Sequence, residues 1–79
     1  MKVQVLFFGA TAEIVGKREI EISFDKEPIA NEAFDKVLNE FPQMRQHSLL
    51  FAVNQAYSNG DEIIQNNDEL AIFTAVSGG

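Results

Sequence analysis

The sequence of 79 residues contains no cysteine. Without a thiol, the chain cannot form a disulfide bond, a cysteine-ligated zinc site, a persulfide or a thiol nucleophile. The absence of cysteine also fits a reducing compartment. Any covalent chemistry in which the protein takes part must therefore use another group.

Positive charge is also scarce, because six lysines and arginines stand against twelve aspartates and glutamates, for a formal charge of -6. The basic residues are scattered along the chain, which argues against nucleic-acid binding. An acidic protein suits a partner with a basic surface, where complementary charge raises the association rate more than the final affinity.

Long apolar runs are missing as well. The stretch VQVLFFG at residues 3–9 is interrupted by Gln4 and is too short for a signal peptide or a membrane span. We therefore expect a cytoplasmic protein that does not bind membranes.

Residues typical of metal and catalytic sites are sparse. His47 is the only histidine, and no neighbouring pattern of His, Cys or spaced carboxylates makes it a metal ligand, so we expect it in a surface loop. The acidic pairs 61–62 and 68–69 lack the spacing of a calcium loop and are predicted to lie in solvated turns. No nucleophile elbow, phosphate-binding glycine loop or metalloprotease helix occurs. We expect neither intrinsic catalysis nor a bound metal.

The sequence does contain enough apolar residues for one small packed domain, with 46% hydrophobic residues and seven phenylalanines. Four segments are predicted to be strands. Residues 2–8 are apolar on both faces, as in an interior strand, whereas residues 18–24 alternate and place one face in water. LLFAVNQ at 49–55 and LAIF at 70–73 are the third and fourth strands.

Two helices are predicted between these strands. Thr11 caps a short helix that runs to Val15, and Gly16 supplies the left-handed residue that ends it. A longer amphipathic helix has Pro28 in its first turn and stops at Pro42.

Turn signals at 59–61 (Asn-Gly-Asp) and 66–68 (Asn-Asn-Asp) separate the remaining strands. The order of elements predicts an α+β domain, most simply a β-grasp (ubiquitin-like) roll with a mixed sheet and a covering helix. Its first and last strands would lie side by side in parallel at the sheet centre. We assign the domain to residues 1–73 and a flexible C-terminal tail to residues 74–79.

The chain closes with Gly78 and Gly79. Two terminal glycines alone are weak evidence of function, because chain termini are often loose. A Gly-Gly end nevertheless has no Cβ atoms, so it can pass through a channel only as wide as a peptide backbone. Its carboxylate needs activation, commonly by adenylation with ATP, before sulfur or another nucleophile attacks it. Gly79 is therefore a candidate carrier group, and Gly78 a candidate threading residue.

Four stretches carry a family resemblance: VLFFG near the start, AVNQ at 52–55, NNDELAIF at 66–73, and VSGG at the end. On these the chain resembles, over essentially its whole length, the small sulfur-carrier subunits of molybdopterin synthase. The resemblance implies that a ubiquitin-activating-type enzyme uses ATP to adenylate Gly79, which then receives sulfur from a donor and becomes a thiocarboxylate. The carrier itself would bind no cofactor.

The resemblance also implies a partner. The C-terminal glycines would enter the large catalytic subunit of the synthase, where cyclic pyranopterin monophosphate receives sulfur and becomes molybdopterin. Two small and two large subunits would form a heterotetramer. The docking surface of the small subunit would include Phe8, Tyr57 and Phe73, together with Val76 in the tail.

Two positions depart from the pattern of this family. Many members have a proline pair before the final valine, where this chain has Thr74 and Ala75, so we expect a looser tail. The last turn often contains Asp-Gly, where this chain has Asn66 and Asn67. Asparagine tolerates a left-handed conformation, so the turn should survive.

Two alternative functions stay open. A sibling sulfur carrier, such as the thiamine-pathway protein, would use the same thiocarboxylate with another acceptor, although VLFFG and the placement of AVNQ favour the molybdopterin type. A ubiquitin-like interaction module or protein modifier would have a tail that is joined to lysines or has no covalent role.

Overall fold

The structure contains the strands and helices that the sequence periodicities predict, in the predicted order. It also contains two elements that were not predicted, a 3-10 helix and a short fourth strand. The computed structural model of the protein describes residues 1–75. Its elements are β1 (Lys2–Phe7), α1 (Ala10–Val15), β2 (Glu19–Ser23), α2 (Ala30–Glu40), a 3-10 helix (Pro42–Gln46), β3 (Leu49–Val53), β4 (Ala56–Tyr57) and β5 (Glu69–Thr74).

The five strands form one mixed sheet in the order β2-β1-β5-β3-β4. β1 and β5 run parallel in its interior, with Val5 opposite Leu70 and Phe7 opposite Ile72. The other neighbouring strands are antiparallel. The predicted α+β fold of the β-grasp type is confirmed, including the parallel pairing of the first and last strands.

The core lies between one face of this sheet, the inner face, and α2. β1 contributes Val3, Val5 and Phe7 to the core, and β5 contributes Leu70 and Ile72. α2 covers them with four buried residues that lie on one side of the helix: Ala30, Ala33, Val37 and Leu38. The long helix therefore covers the sheet, as its apolar spacing predicts.

The short helix α1 begins two residues earlier than predicted, because Gly9 and not Thr11 occupies the N-cap position. Gly9, with a φ of 58°, precedes the helix. Thr11 lies within the first turn, and its side chain is fully buried. Gly16 ends the helix in the left-handed conformation, with a φ of 82°, as predicted.

The long helix α2 begins later than the sequence indicates. Pro28 precedes the helix instead of lying in its first turn, because the helix starts at Ala30. The Ile29 N–H donates to a carboxylate oxygen of Glu32 at 2.9 Å. This bond is the side-chain half of a capping box and satisfies a backbone donor at the start of the helix.

The 3-10 helix after α2 is absent from the sequence prediction. Pro42 ends the α-helical pattern, as expected, but its fixed φ also suits the first position of a new helical turn. This turn buries Met44 completely in the core. One proline therefore stops one helix and starts the next.

β3 is shorter than predicted and leads into a hairpin. The predicted strand over residues 49–55 ends at Val53, and Asn54 and Gln55 have φ values of 50° and 71°. Positive φ at both central residues is typical of a type I′ turn. The backbone twist of this two-residue hairpin turn matches the right-handed twist of the two strands that it connects. The chain reverses there into β4, which the sequence analysis misses because Asn-Gln lacks the usual glycine.

The two predicted turns between β4 and β5 are both present. Gly60 has a φ of 94° and Asn67 a φ of 69°. The Asn67 N–H donates to the Lys2 carbonyl at 2.7 Å, and the Lys2 N–H donates to Asn66 Oδ1 at 2.7 Å. Asn67 therefore adopts the left-handed conformation that the turn needs, as expected. Asn66 and Asn67 together connect the turn to Lys2 at the start of β1 by two hydrogen bonds.

Met44 tests whether the 3-10 helix belongs to the core. We expect Met44→Ala to lower the free energy of unfolding by about 2–5 kcal/mol, because the buried side chain leaves a cavity. Met44→Leu, which nearly conserves volume, should cost less than about 1.5 kcal/mol. Urea denaturation followed by circular dichroism measures both changes. Equal, small losses for the two variants would contradict a core role for Met44.

Candidate docking surface and tail exit

The face of the sheet opposite α2, the outer face, carries a group of apolar side chains. Successive side chains of a strand alternate between faces, so residues between the buried ones point away from the core. The register places Leu50 of β3 opposite Phe73 of β5, and Ala52 of β3 opposite Tyr57 of β4. We call Phe8, Leu50, Tyr57 and Phe73 the outer-face patch.

Phe8 belongs to this patch although it lies one residue beyond β1. Its N–H donates to the Ile72 carbonyl at 3.0 Å, which continues the parallel ladder past the pair of Phe7 and Ile72. Phe8 and Phe73 therefore occupy the next register position on neighbouring strands, which lie about 5 Å apart. The pairing of β1 with β5 brings together two of the residues predicted for docking.

The patch is exposed. Tyr57 is 80% exposed, Phe8 51% and Leu50 43%, and Phe73 is half-buried. The rings of Tyr57 and Phe73 meet edge to face with centroids 5.8 Å apart, a geometry that aromatic pairs favour. Clustered exposed apolar side chains of this kind make the outer-face patch a candidate interaction surface.

Three of the four patch residues, Phe8, Tyr57 and Phe73, are predicted from the sequence, and Leu50 is not. The signal was present in β3, because Leu49 and Phe51 pack against the core and strict alternation then turns Leu50 outward. The run LLFAV hides this alternation, since every residue in it is apolar.

Carboxylates lie on the same face as the patch. Register places Glu19 and Glu21 of β2 and Glu69 of β5 on the outer face. Lys2 forms an ion pair with Glu21 at 3.5 Å, but both side chains are largely exposed, so the pair contributes little to stability. The outer face therefore combines an apolar patch with an excess of negative charge.

β5 leads the chain out of the sheet at the edge where Phe8 lies, because β1 and β5 are parallel neighbours. The strand includes Thr74, which the sequence analysis places in the tail. The Ala75 N–H then donates to the Ser48 carbonyl at 2.8 Å. The remaining residues with a predicted role in the tail lie outside the described residues: Val76, Gly78 and Gly79.

Ala75 is one of the two residues that stand where the family resemblance leads us to expect prolines, and its hydrogen bond shows one consequence of this difference. A proline at this position has no N–H to donate. Alanine gives up the restriction on φ that proline provides, but its N–H adds one rung to the antiparallel ladder between β3 and β5. Ala75 is therefore held by a hydrogen bond that a proline at this position could not donate.

The other acidic residues considered from the sequence differ in exposure: Asp68 is partly buried and Glu69 is the partly buried first residue of β5, so the prediction of a solvated turn is wrong for this pair. His47 lies in a surface bend directly after the 3-10 helix, as predicted. Asp61 and Glu62 are exposed to solvent. Within residues 1–75, no three or more His, Cys, Asp or Glu side chains cluster closely enough to hold a metal ion. None of the helices in this part of the chain has the length and apolar character to cross a membrane.

Tyr57 tests whether the patch is free of a structural role. We expect Tyr57→Ala to change the free energy of unfolding by less than about 1 kcal/mol, because the ring is 80% exposed. Phe51→Ala is the matched control on the inner face. Phe51 stacks on Phe34 with ring centroids 4.6 Å apart, so its loss should cost about 3 kcal/mol or more. Comparable losses in urea denaturation would make the patch part of the folding core.

The chain is similar in sequence and in fold to several known proteins. It is 34% identical over 83 residues to the molybdopterin synthase sulfur carrier subunit of Caenorhabditis elegans, an alignment that covers 100% of this chain and 99% of that relative. The fold is shared with small archaeal modifier protein 1 of Haloferax volcanii, with a TM-score of 0.84 and 20% identity over 95% of this chain and 98% of that one.

A second structure is the complex of subunits 1 and 2 of the molybdopterin-converting factor from Helicobacter pylori. The likeness has a TM-score of 0.70 at 20% identity and covers 100% of both chains. At such identities the structural likeness concerns the fold alone. The model of the ThiS family matches residues 5–79, and together with the 34% identical relative this shows that the chain belongs to the ThiS family.

Proposed function

We propose that the protein is the sulfur-carrying, non-catalytic subunit of a molybdopterin synthase. The observation that carries the proposal is the location of the outer-face patch at the sheet edge where β5 leads towards the Gly-Gly end. The Caenorhabditis elegans relative bears this function in its name. The Helicobacter pylori structure, a complex of two subunits of one factor, supports a large catalytic subunit as the partner.

In the proposed cycle, the Gly79 carboxylate attacks ATP in the active site of a ubiquitin-activating-type enzyme, and pyrophosphate leaves. A sulfur donor then displaces AMP from the acyl adenylate and leaves a thiocarboxylate on Gly79. The large subunit receives this end and transfers the sulfur to cyclic pyranopterin monophosphate. Because the dithiolene of molybdopterin needs two sulfur atoms, each spent carrier dissociates and is recharged.

The patch is needed in this cycle because a tail alone binds weakly. Ordering five or six tail residues in a partner costs about 5–12 kcal/mol in conformational entropy. Burying about half of three aromatic side chains, each with about 150–250 Å² of surface, returns about 6–9 kcal/mol at 25 cal/mol per Å². The two quantities are similar, so the complex is held by patch and tail together and remains reversible.

Charge supports the same partner. Glu19, Glu21 and Glu69 give the outer face a negative potential that suits a basic surface on the large subunit. Rapid exchange of spent for charged carriers benefits from electrostatic attraction, because such attraction raises the association rate more than it slows dissociation. We place the assembly, two small and two large subunits, in the cytoplasm.

The C-terminal chemistry is tested by intact mass. After incubation with the activating enzyme, ATP and a sulfur source, we expect the mass of the chain to rise by the replacement of one oxygen by sulfur. A variant extended by one residue past Gly79 should stay folded but transfer no sulfur to the acceptor. An unchanged mass in the unextended protein would favour an interaction module, and a fully active extended variant would contradict delivery of the terminal carboxylate.

The molecule that accepts the sulfur distinguishes the two carrier functions that the sequence leaves open, one in molybdopterin synthesis and one in the thiamine pathway. Thiocarboxylated protein mixed with the large subunit and cyclic pyranopterin monophosphate should yield molybdopterin. Charged protein that gives no molybdopterin but supplies sulfur to a thiamine-pathway acceptor would assign it to that pathway instead.

Phe73 tests the docking surface. We expect Phe73→Ala to weaken binding to the large subunit about tenfold or more, because interface aromatics carry a large share of binding energy. Ile63→Ala is the matched control, since Ile63 is also an exposed apolar residue, at 61%, but lies outside the five-stranded sheet. Isothermal titration calorimetry measures both affinities. Equal affinities for Phe73→Ala and the wild type would remove Phe73 from the docking surface.

A further inference from the structure

Thr11 is the one fully buried polar side chain among residues 1–75. A buried hydroxyl is costly unless it is hydrogen-bonded. Thr11 Oγ1 lies 2.6 Å from the Phe8 carbonyl oxygen and 2.9 Å from the Ile72 carbonyl oxygen. The hydroxyl carries a single proton, so these two carbonyls share one donor. The side chain therefore bridges α1, the end of β1 and β5.

The two carbonyls belong to peptide groups that adjoin the outer-face patch. The Phe8 carbonyl follows the Phe8 side chain directly, and the Ile72 carbonyl lies in the peptide that leads into Phe73. Phe8 lies beyond the last residue of β1 and before Gly9, where a φ of 58° turns the chain away. Regular strand pairing therefore does not extend past Phe8, and local hydrogen bonds fix its orientation.

A methyl group cannot replace the hydroxyl at these distances. Carbon and oxygen atoms in contact stay about 3.3 Å or more apart, whereas Thr11 Oγ1 approaches its two carbonyls to 2.6 and 2.9 Å. With valine at this position, the Phe8 and Ile72 carbonyls must move away from the side chain and from each other. Such a shift alters the relative placement of Phe8 and Phe73.

We propose that Thr11 is a positioning residue, whose hydroxyl sets the spacing of Phe8 and Phe73 and so the fit of the outer-face patch to its partner. This inference rests on the proposed function, because the partner in question is the large subunit of molybdopterin synthase. The alignment of the patch then depends on a residue that the partner never touches.

The fold does not require this hydroxyl. The Phe8 carbonyl also accepts from the Thr11 N–H at 3.2 Å, and the Ile72 carbonyl also accepts from the Phe8 N–H at 3.0 Å. Neither carbonyl is left without a donor when the hydroxyl is removed, so Thr11→Val should fold. The effect of the hydroxyl on binding can therefore be measured in a folded protein.

The first measurement compares affinities for the large subunit. We expect Thr11→Val to weaken binding about threefold to tenfold, and Thr11→Ser, which keeps the hydroxyl, to bind within about twofold of the wild type. Ile22→Val is the control for a general loss of stability, since Ile22 is buried in β2 and lies outside the patch; it should bind like the wild type. Unchanged affinity in Thr11→Val would overturn the inference.

A double-mutant cycle that combines Thr11→Val with Phe73→Ala measures the coupling between these two residues in binding. A residue that only stabilised the fold would show no such coupling. If Thr11 acts through the patch, Thr11→Val should lose most of its effect on affinity once Phe73 is alanine. Additive effects would overturn the inference and leave the proposed function standing. Wild-type protein that fails to bind the large subunit would instead refute the proposed function, and the inference with it.

Discussion

The parallel pairing of β1 with β5 is the interaction on which both the core and the candidate site depend. On the inner face it packs Val5 and Phe7 beside Leu70 and Ile72. On the outer face the same register sets Phe8 beside Phe73, so that β1 and β5 end at the same edge of the sheet. Parallel strands need a long crossover connection, and the intervening chain uses that length to place α2 over the core.

The two faces of the sheet serve different purposes because a strand presents alternate residues to opposite sides. The inner face is filled by aliphatic and aromatic side chains that exclude water. The outer face leaves aromatic rings and Leu50 partly exposed, at a cost in solvation that a partner can recover. Thr11 joins the two faces, since its buried hydroxyl contacts backbone carbonyls next to Phe8 and Phe73. One buried side chain therefore contacts the backbone of both strands next to the outer-face patch.

Local patterns predict most of the fold. Alternation finds β2, helical spacing finds α2, and single residues such as Gly16 and Asn67 mark conformations that few side chains adopt. The 3-10 helix is not predicted because Pro42 by itself indicates only the end of α2, and the Asn54-Gln55 turn is not predicted because it lacks the usual glycine. Phe8, Tyr57 and Phe73 as a docking set follow from family resemblance, since periodicity does not distinguish them from core residues. The bridging role of Thr11 depends on contacts between residues 61 positions apart.

The pairing of β1 with β5 also determines when the sheet can form during protein synthesis. Gln4 is the register partner of Glu69, so β1 cannot pair with β5 until the residues from Glu69 onwards have been translated. Contacts this far apart in sequence form late and slowly. A prematurely terminated chain keeps the apolar side of β1 open to water and is exposed to chaperones and proteases. The core can therefore close only in molecules whose final strand is complete.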